Sequence, residues 1–136
     1  MKPNPVVWFE IYVQDMERAR RFYEAVFQCK LEPLAPPEPA PAGSSDCVPG
    51  NMRMLSFPMT MDAPGSGGML VQMDGAAPGG GGTMVYFACD DCAVEQARVA
   101  GAGGQVHRAK FSIGPYGHCA IVQDTEGNMI GLHSMQ

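Results

Sequence analysis

Two segments of this chain share one pattern, and that sharing restricts the possible folds more than any other feature of the sequence. Val6 to Val13 (VVWFEIYV) is rich in β-branched and aromatic residues, and Trp8, Glu10 and Tyr12 alternate along it with Val7, Phe9, Ile11 and Val13. Alternation at period two describes a strand with two different faces. Asp15 follows as a helix N-cap. Ala19, Phe22, Tyr23, Val26 and Phe27 then recur at the i, i+3, i+4, i+7, i+8 spacing of a core-facing stripe, with Glu17, Arg18, Arg20, Arg21 and Glu24 mostly on the other side. Met84 to Cys89 (MVYFAC) repeats the strand, Asp90 or Asp91 repeats the cap, and Val94, Ala97, Val99 and Ala100 repeat the helix, which stops at Gly101-Ala102-Gly103-Gly104. Setting Asp15 on Asp91 aligns the halves at an offset of 76 positions, so the duplication covers nearly the whole chain.

The remainder follows the same plan. Leu31 to Leu34 begins a second strand, after which Pro33, Pro36, Pro37, Pro39 and Pro41 remove too many backbone donors for a ladder, and residues 35–50 read as an extended loop. Met52 to Met61 and Met69 to Met73 read as strands joined by a turn at residues 63–68, and Gly75 to Gly82 forms a second break. In the second half, Gln105 to Lys110 reads as a strand and Phe111 to Gly117 as a loop. His118 to Gln123 and Met129 to Ser134 form a closing hairpin across residues 124–128. The order is strand, helix, three strands, twice. This predicts an α+β fold in a single domain, residues 1–136, with one module over about 5–74, a Gly-rich linker at 75–82 and a second module over about 83–135.

Composition limits the partners. Nine basic residues against 14 acidic ones give a net charge of −5, with no basic cluster, so neither nucleic acid nor an anionic membrane is an expected partner. No apolar run approaches the roughly 20 residues of a bilayer span. The first residues carry no signal-peptide pattern, and five Cys (29, 47, 89, 92, 119) lack the spacing of a secreted disulfide scaffold, so a cytoplasmic location with mostly free thiols is expected. Gly (17) and Pro (12) are numerous, yet they concentrate in the breaks between elements, which is how an ordered sheet with loose connections is written.

FEIYVQDMERARRFYEAVF (9–27), with its aspartate cap before an FY pair, resembles the first strand and helix of the vicinal oxygen chelate superfamily, which groups glyoxalases, bleomycin-resistance proteins and extradiol dioxygenases. IVQDTEGNMIGLHS (121–134) resembles that superfamily's closing hairpin. With the duplicated pattern between these two motifs, the resemblance covers about the full chain, and it extends to the superfamily's small lactoylglutathione-lyase-related proteins. The resemblance implies two tandem βαβββ modules forming a curved eight-stranded mixed sheet with a concave pocket, usually as a homodimer. It also implies where a divalent metal would sit. The four ligand positions fall on Trp8, Val71, Met84 and Gly131, with Gln72 replacing Val71 if that register slips by one. Trp8, Val71, Met84 and Gly131 do not supply the oxygen and nitrogen ligands such a cation needs, so no metal and no cofactor is expected.

Side chains two apart on a strand share a face, which places Glu10 and Tyr12 beside Trp8, Tyr86 beside Met84, and His133 beside Gly131. Glu10 and His133 are candidates for proton exchange, and Trp8, Tyr12, Gln72, Met84, Tyr86 and His118 for contacts to a ligand. The alternative is that Glu10 meets a lysine or backbone donors near a rim and His133 is merely exposed. Cys89-Asp90-Asp91-Cys92 is a CxxC at a helix N-terminus, but the two aspartates oppose thiolate formation, so structural thiols are expected there. Gly101 to Gly104 follows a helix rather than preceding one, the reverse of a phosphate cradle. The methionines read as core filler, some of them lining an adaptable ligand surface. The expected function is binding of a small, partly apolar molecule. The alternatives are a metal-independent lyase or isomerase using Glu10 and His133, and a module that regulates a protein partner.

Overall fold

In the computed structural model, which describes residues 1, 3–35 and 52–136, two aspartate-capped helices form as expected. Nearly all of the loop expected over 35–50, Cys47 included, lies outside the described residues. Asp15 Oδ1 accepts the Arg18 N–H at 3.0 Å and caps α1 (Met16–Phe27), while Asp91 Oδ1 accepts the Ala93 N–H at 3.0 Å and caps α2 (Cys92–Val99). Both caps have extended backbones, φ −133° and −138°, so each turns the chain from strand into helix at one residue. Of the two aspartates the sequence left open, Asp91 is the cap. The carbonyl groups at the end of α2 are met by backbone N–H groups of its terminal turn. Gly104 N–H reaches Val99 O at 3.0 Å, with Gly103 at φ 96°.

Among the described residues the chain forms two compact units, one from residues 8–35 and 52–83 and one from 3–7 and 84–136. The first holds most of β1 (Val6–Tyr12), α1, β2 (Glu32–Pro33), β3 (Arg53–Ser56) and β4 (Gly67–Gln72). Strand β1 runs parallel to β4, β3 lies antiparallel to β4, and β2 antiparallel to β3. The second holds β5 (Thr83–Ala88) from Met84 onward, α2, β6 (Gln105–Ser112), β7 (His118–Gln123) and β8 (Met129–Ser134). There β5 runs parallel to β8, β7 antiparallel to β8, and β6 antiparallel to β7. Eight strands of mixed pairing and two helices, in the order βαβββ twice, are the architecture that the duplicated pattern predicts. A parallel pair requires a long connection, and in each unit the helix begins it.

Each helix packs on one face of its own strands. Met16, Leu31, Leu55 and Leu70 form a buried cluster under α1, joined by Ile11, Val13, Ala19, Tyr23 and Phe57. Cys92, Ala120, Val122 and Leu132 form the matching cluster under α2 with Phe87, Val99 and Ile130. Here the apolar stripe on α1 departs from expectation. Phe22, Val26 and Phe27 are 58%, 55% and 62% exposed, because the helix seats through Met16, Ala19 and Tyr23 and the stripe is wider than the surface beneath it.

Strand limits also shift. Strand β3 ends at Ser56 rather than running to Met61, two residues before Pro58, which has no N–H to give a ladder. Strand β4 begins at Gly67 rather than Met69, β6 continues to Ser112, and Gly114–Tyr116 makes one turn of 3-10 helix inside the expected loop. Met16, Met54, Met69 and Met84 are buried, whereas Met59 and Met61 stand exposed in the β3–β4 loop, so core filler describes only part of the set.

These packing assignments separate two substitutions. Leu70→Ala, which empties a fully buried position, should cost about 2–5 kcal/mol, and Phe22→Ala no more than about 0.5 kcal/mol, in urea denaturation.

Candidate functional site

The face of the first unit turned away from α1 carries the polar pair that the strand alternation singled out. Met54, Met69 and Val71 are buried there, with Trp8, Tyr12, Leu34, Met52 and Met73 packed against them. Glu10 stands opposite Met69, and Tyr12 opposite Val71. Glu10 is only 8% exposed, and the Tyr12 hydroxyl donates to its Oε2 at 2.5 Å. A hydrogen bond to a carboxylate is shorter and stronger than a neutral one, and in apolar surroundings it holds the carboxylate in one orientation. Burial pushes the Tyr12 phenol well above its ordinary range, and the charge and hydrogen bond of Glu10 push it the same way. Tyr12 is therefore a fixed proton donor to Glu10, not a base.

Gln72 does not join them. It lies one residue beyond Val71, on the α1 side, where its Oε1 accepts the Met16 N–H at 2.8 Å. The sequence-based placement of Gln72 among the ligand contacts fails here, because a one-residue step along a strand reverses the face. Its side chain instead satisfies the first N–H of α1.

In the second unit, Met84 and Tyr86 are buried on β5, on the side away from Phe87 and the α2 cluster. Tyr86 stands opposite Gly131, and a Cβ added at Gly131 would fall on the Tyr86 ring. The ring thus covers the glycine and takes the room that a side chain at 131 would use. His133 shares the Gly131 face, half-buried, with Nε2 2.7 Å from Tyr116 O. A carbonyl only accepts, so this bond assigns the proton to Nε2. His118 is a second correction. Its parity along β7 is that of Ala120 and Val122, which face α2, and it lies close enough to Asp91 to help hold that carboxyl below its usual range, after the stronger effect of Lys110 at 2.7 Å. His118 and His133 consequently occupy opposite faces of their sheet. His118 Nδ1 and Glu95 Oε2 are buried without a hydrogen-bond partner among the described residues.

The CxxC is built as structure. Cys89 and Cys92 are free thiols, and Cys92 is fully buried as the first residue of α2, with its N–H donating to Ser134 Oγ at 3.0 Å. Burial, followed by the charge of Glu95, pushes the Cys89 thiol up to about 12, the opposite of a reactive dithiol. The role of Ser134 has no local signal in the sequence, since its partner is 42 positions away. Among the described residues, no three His, Cys, Asp or Glu side chains gather where they could hold a metal ion, and no helix is long and apolar enough to cross a membrane.

Comparison with known proteins places this geometry in context. The sequence profile of the Glyoxalase/Bleomycin resistance protein/Dioxygenase superfamily matches residues 6–132. No curated protein matches the sequence closely enough to be counted as a relative. Among solved structures, the chain is similar to a variant of Streptomyces coelicolor methylmalonyl-CoA epimerase in complex with 2-nitronate-propionyl-CoA, at 14% identity over 96% of each chain with a TM-score of 0.61. Methylmalonyl-CoA epimerase from Mycobacterium tuberculosis is similar at 14% identity over 100% of this chain and 93% of that one, TM-score 0.59. A hypothetical protein from Bacillus halodurans C-125 is similar at 13% identity over 99% and 96%, TM-score 0.65. At these identities the likeness is one of fold.

Two measurements test the local chemistry. Cys89 should resist iodoacetamide at pH 8 in the folded protein and react once urea unfolds it. Its folded pKa lies above the ordinary thiol value of 9.0, so the stability it contributes is complete below pH 9 and lost as pH rises toward about 12. Tyr12 shifts in the same direction, and the urea midpoint should fall across that window. Separately, Gly131→Ala should lower stability by roughly 1–3 kcal/mol through overpacking against Tyr86.

Proposed function

Because this chain belongs to the Glyoxalase/Bleomycin resistance protein/Dioxygenase superfamily, we propose that it is a metal-independent member which binds a small, partly apolar molecule on the face that carries Trp8, Glu10 and Tyr12. One observation carries the reading. A carboxylate is buried in a surface of Trp, Met and Val side chains and held in orientation by a tyrosine hydroxyl. Burying a charged group against apolar neighbours costs stability, and such arrangements concentrate at binding sites, where one oriented polar group selects among apolar ligands.

The family's divalent cation does not fit the residues present. Trp8 and Val71 in the first unit, and Met84 and Gly131 in the second, stand where the resemblance puts the ligands. An indole, an isopropyl group, a thioether and a hydrogen atom offer no hard donor. The Tyr86 ring over Gly131 adds a steric reason, since a glutamate there would have to displace it. Stoichiometric zinc, nickel, iron or manganese in protein purified without added metal would contradict this part of the proposal. The reading includes a homodimer, for which the exposed Phe22, Val26 and Phe27 offer apolar surface, and a reducing, cytoplasmic setting, which the free thiols of Cys29, Cys89 and Cys92 support.

The fold neighbours named as methylmalonyl-CoA epimerase, one of them solved with 2-nitronate-propionyl-CoA, make acyl thioesters one class to include in a ligand screen. In a thermal-shift screen a ligand selective for the folded state raises the melting temperature. Trp8→Ala should abolish the shift, and Glu10→Gln should weaken binding about tenfold, near 1.4 kcal/mol. Loss of all turnover of a discovered substrate in Glu10→Gln, with binding retained, would instead establish the lyase or isomerase reading. A screen in which no compound shifts the melting temperature overturns the binding reading.

A further inference from the structure

Helix α1 turns to solvent a face that combines apolar side chains with unpaired cations. Arg18, Phe22 and Val26, spaced at i, i+4 and i+8, form one row, Arg21 and Ala25 form the row beside it, and all five are exposed. Phe22 also borders Val13, Ala19 and Pro78 of the first unit, so the apolar surface continues past the helix. We infer that two copies of this chain associate through this face, α1 packing antiparallel on the partner's α1 across a two-fold axis near Phe22. The inference rests on the homodimer included in the reading above and assigns its surface and its pairing.

Charge placement is the first argument. A helix is stabilised by acidic residues in its first turn and basic ones in its last. Helix α1 carries Arg18 in its first turn and Arg21 soon after, and has no basic residue in its last turn. Arg20 pairs with Glu24 at 3.1 Å and Arg53 with Glu17 at 3.0 Å. Among the described residues Arg18 and Arg21 form no ion pair, although both lie near enough to the Asp15 carboxyl to help hold it below its usual range. Two guanidinium groups therefore stand at the end of α1 where its own dipole disfavours them.

An antiparallel neighbour gives those cations a use. With the Phe22 residues of the two copies level, Arg18 of one copy lies level with Val26 of the other. Side chains lean toward the N-terminus of their helix, so the Arg18 stem runs over the partner's Val26 and its guanidinium points toward the carbonyl end of that helix, the end without a base. The two Phe22 rings meet at the centre. The match is reciprocal, as a two-fold contact between identical surfaces requires. Area sets the strength. Phe22 and Val26 are 58% and 55% exposed, and with Ala25 and the arginine stems the face offers on the order of 500 Å² per protomer. A pair then buries roughly 1,000 Å², the lower limit of a specific interface, which predicts a weak dimer with a Kd on the order of 10 µM.

Sedimentation velocity on the full-length protein, from about 1 to about 200 µM, should show a reversible monomer–dimer equilibrium. Phe22→Asp and Arg18→Glu should each weaken association at least tenfold, roughly the effect of removing one central contact. Added negative charge by itself increases repulsion between copies of an acidic chain, so charge-matched substitutions at exposed positions of α2 serve as controls. Val94→Asp and Arg98→Glu should leave the Kd within about twofold. A second readout separates association from helix stability. At about 1 µM, where the chain is monomeric, Arg18→Glu should hold or raise the melting temperature, because an acid suits the first turn. A wild-type chain that stays monomeric at about 200 µM overturns the inference. So does association that survives Phe22→Asp and Arg18→Glu, equal weakening by the two α2 substitutions, or a lowered melting temperature in monomeric Arg18→Glu. None of these results bears on the ligand screen, which reads Trp8 and Glu10 on the other face of the unit. A screen without any thermal shift overturns the binding reading and leaves the association result intact.

Discussion

Each half of the molecule depends on the parallel pairing of its first strand with its last. In the first unit this sets β1 beside β4, with Trp8 opposite Gly67 and Tyr12 opposite Val71. In the second it sets β5 beside β8, with Tyr86 opposite Gly131. Parallel neighbours cannot be joined by a tight turn, so the chain must leave the sheet, and the aspartate-capped helix is the route it takes. The helix then covers one face of the pair and leaves the other to the polar residues. The functional candidates are consequences of that geometry: a first strand whose alternate side chains are divided between a helix and an open face.

A second regularity follows from the same pairing. In three registers an aromatic side chain lies over a glycine on the neighbouring strand: Trp8 over Gly67, Phe9 over Gly68 and Tyr86 over Gly131. A ring needs the missing Cβ of its neighbour to lie flat, and the glycine, weak as a strand former, regains contact area from the ring. Two of these pairs bear on function. The Tyr86 pair leaves no room for a side chain at 131, and the Trp8 pair borders the face that carries Glu10 and Tyr12. On the first unit's open face the buried Glu10 carboxylate accepts the Tyr12 hydroxyl.

How much of this was legible in the sequence depends on the range of the interaction involved. The caps were legible, because a side-chain oxygen reaching an N–H two or three residues on is a local bond, and Asp15 and Asp91 form it where the strand pattern ends. So was the joint placement of Trp8, Glu10 and Tyr12, since period two needs only the knowledge that the segment is a strand. Gln72 was misplaced because its face depends on which residue of β4 stands opposite Tyr12, and that residue is Val71, one step before it. His118 was misplaced for a related reason. Its face is decided by which residues of β7 meet α2, and that contact joins segments far apart in the chain. The exposure of Phe22, Val26 and Phe27 was equally illegible, because periodicity gives the direction of an apolar stripe and not the extent of the surface available to cover it.

The sequence by itself determined the duplicated βαβββ order, the helix starts and the alternation of faces along each strand. These rest on backbone sterics and hydrogen bonds spanning a few residues, which any chain with this order of residue types must obey. Tertiary structure decided register, and with it which side chain of each alternating pair became part of a site. It also decided that the Cys89 thiol is pushed up rather than down and that the Tyr86 ring lies over Gly131. Those outcomes depend on burial and on contacts between residues tens of positions apart, and neither quantity exists until the strands have paired.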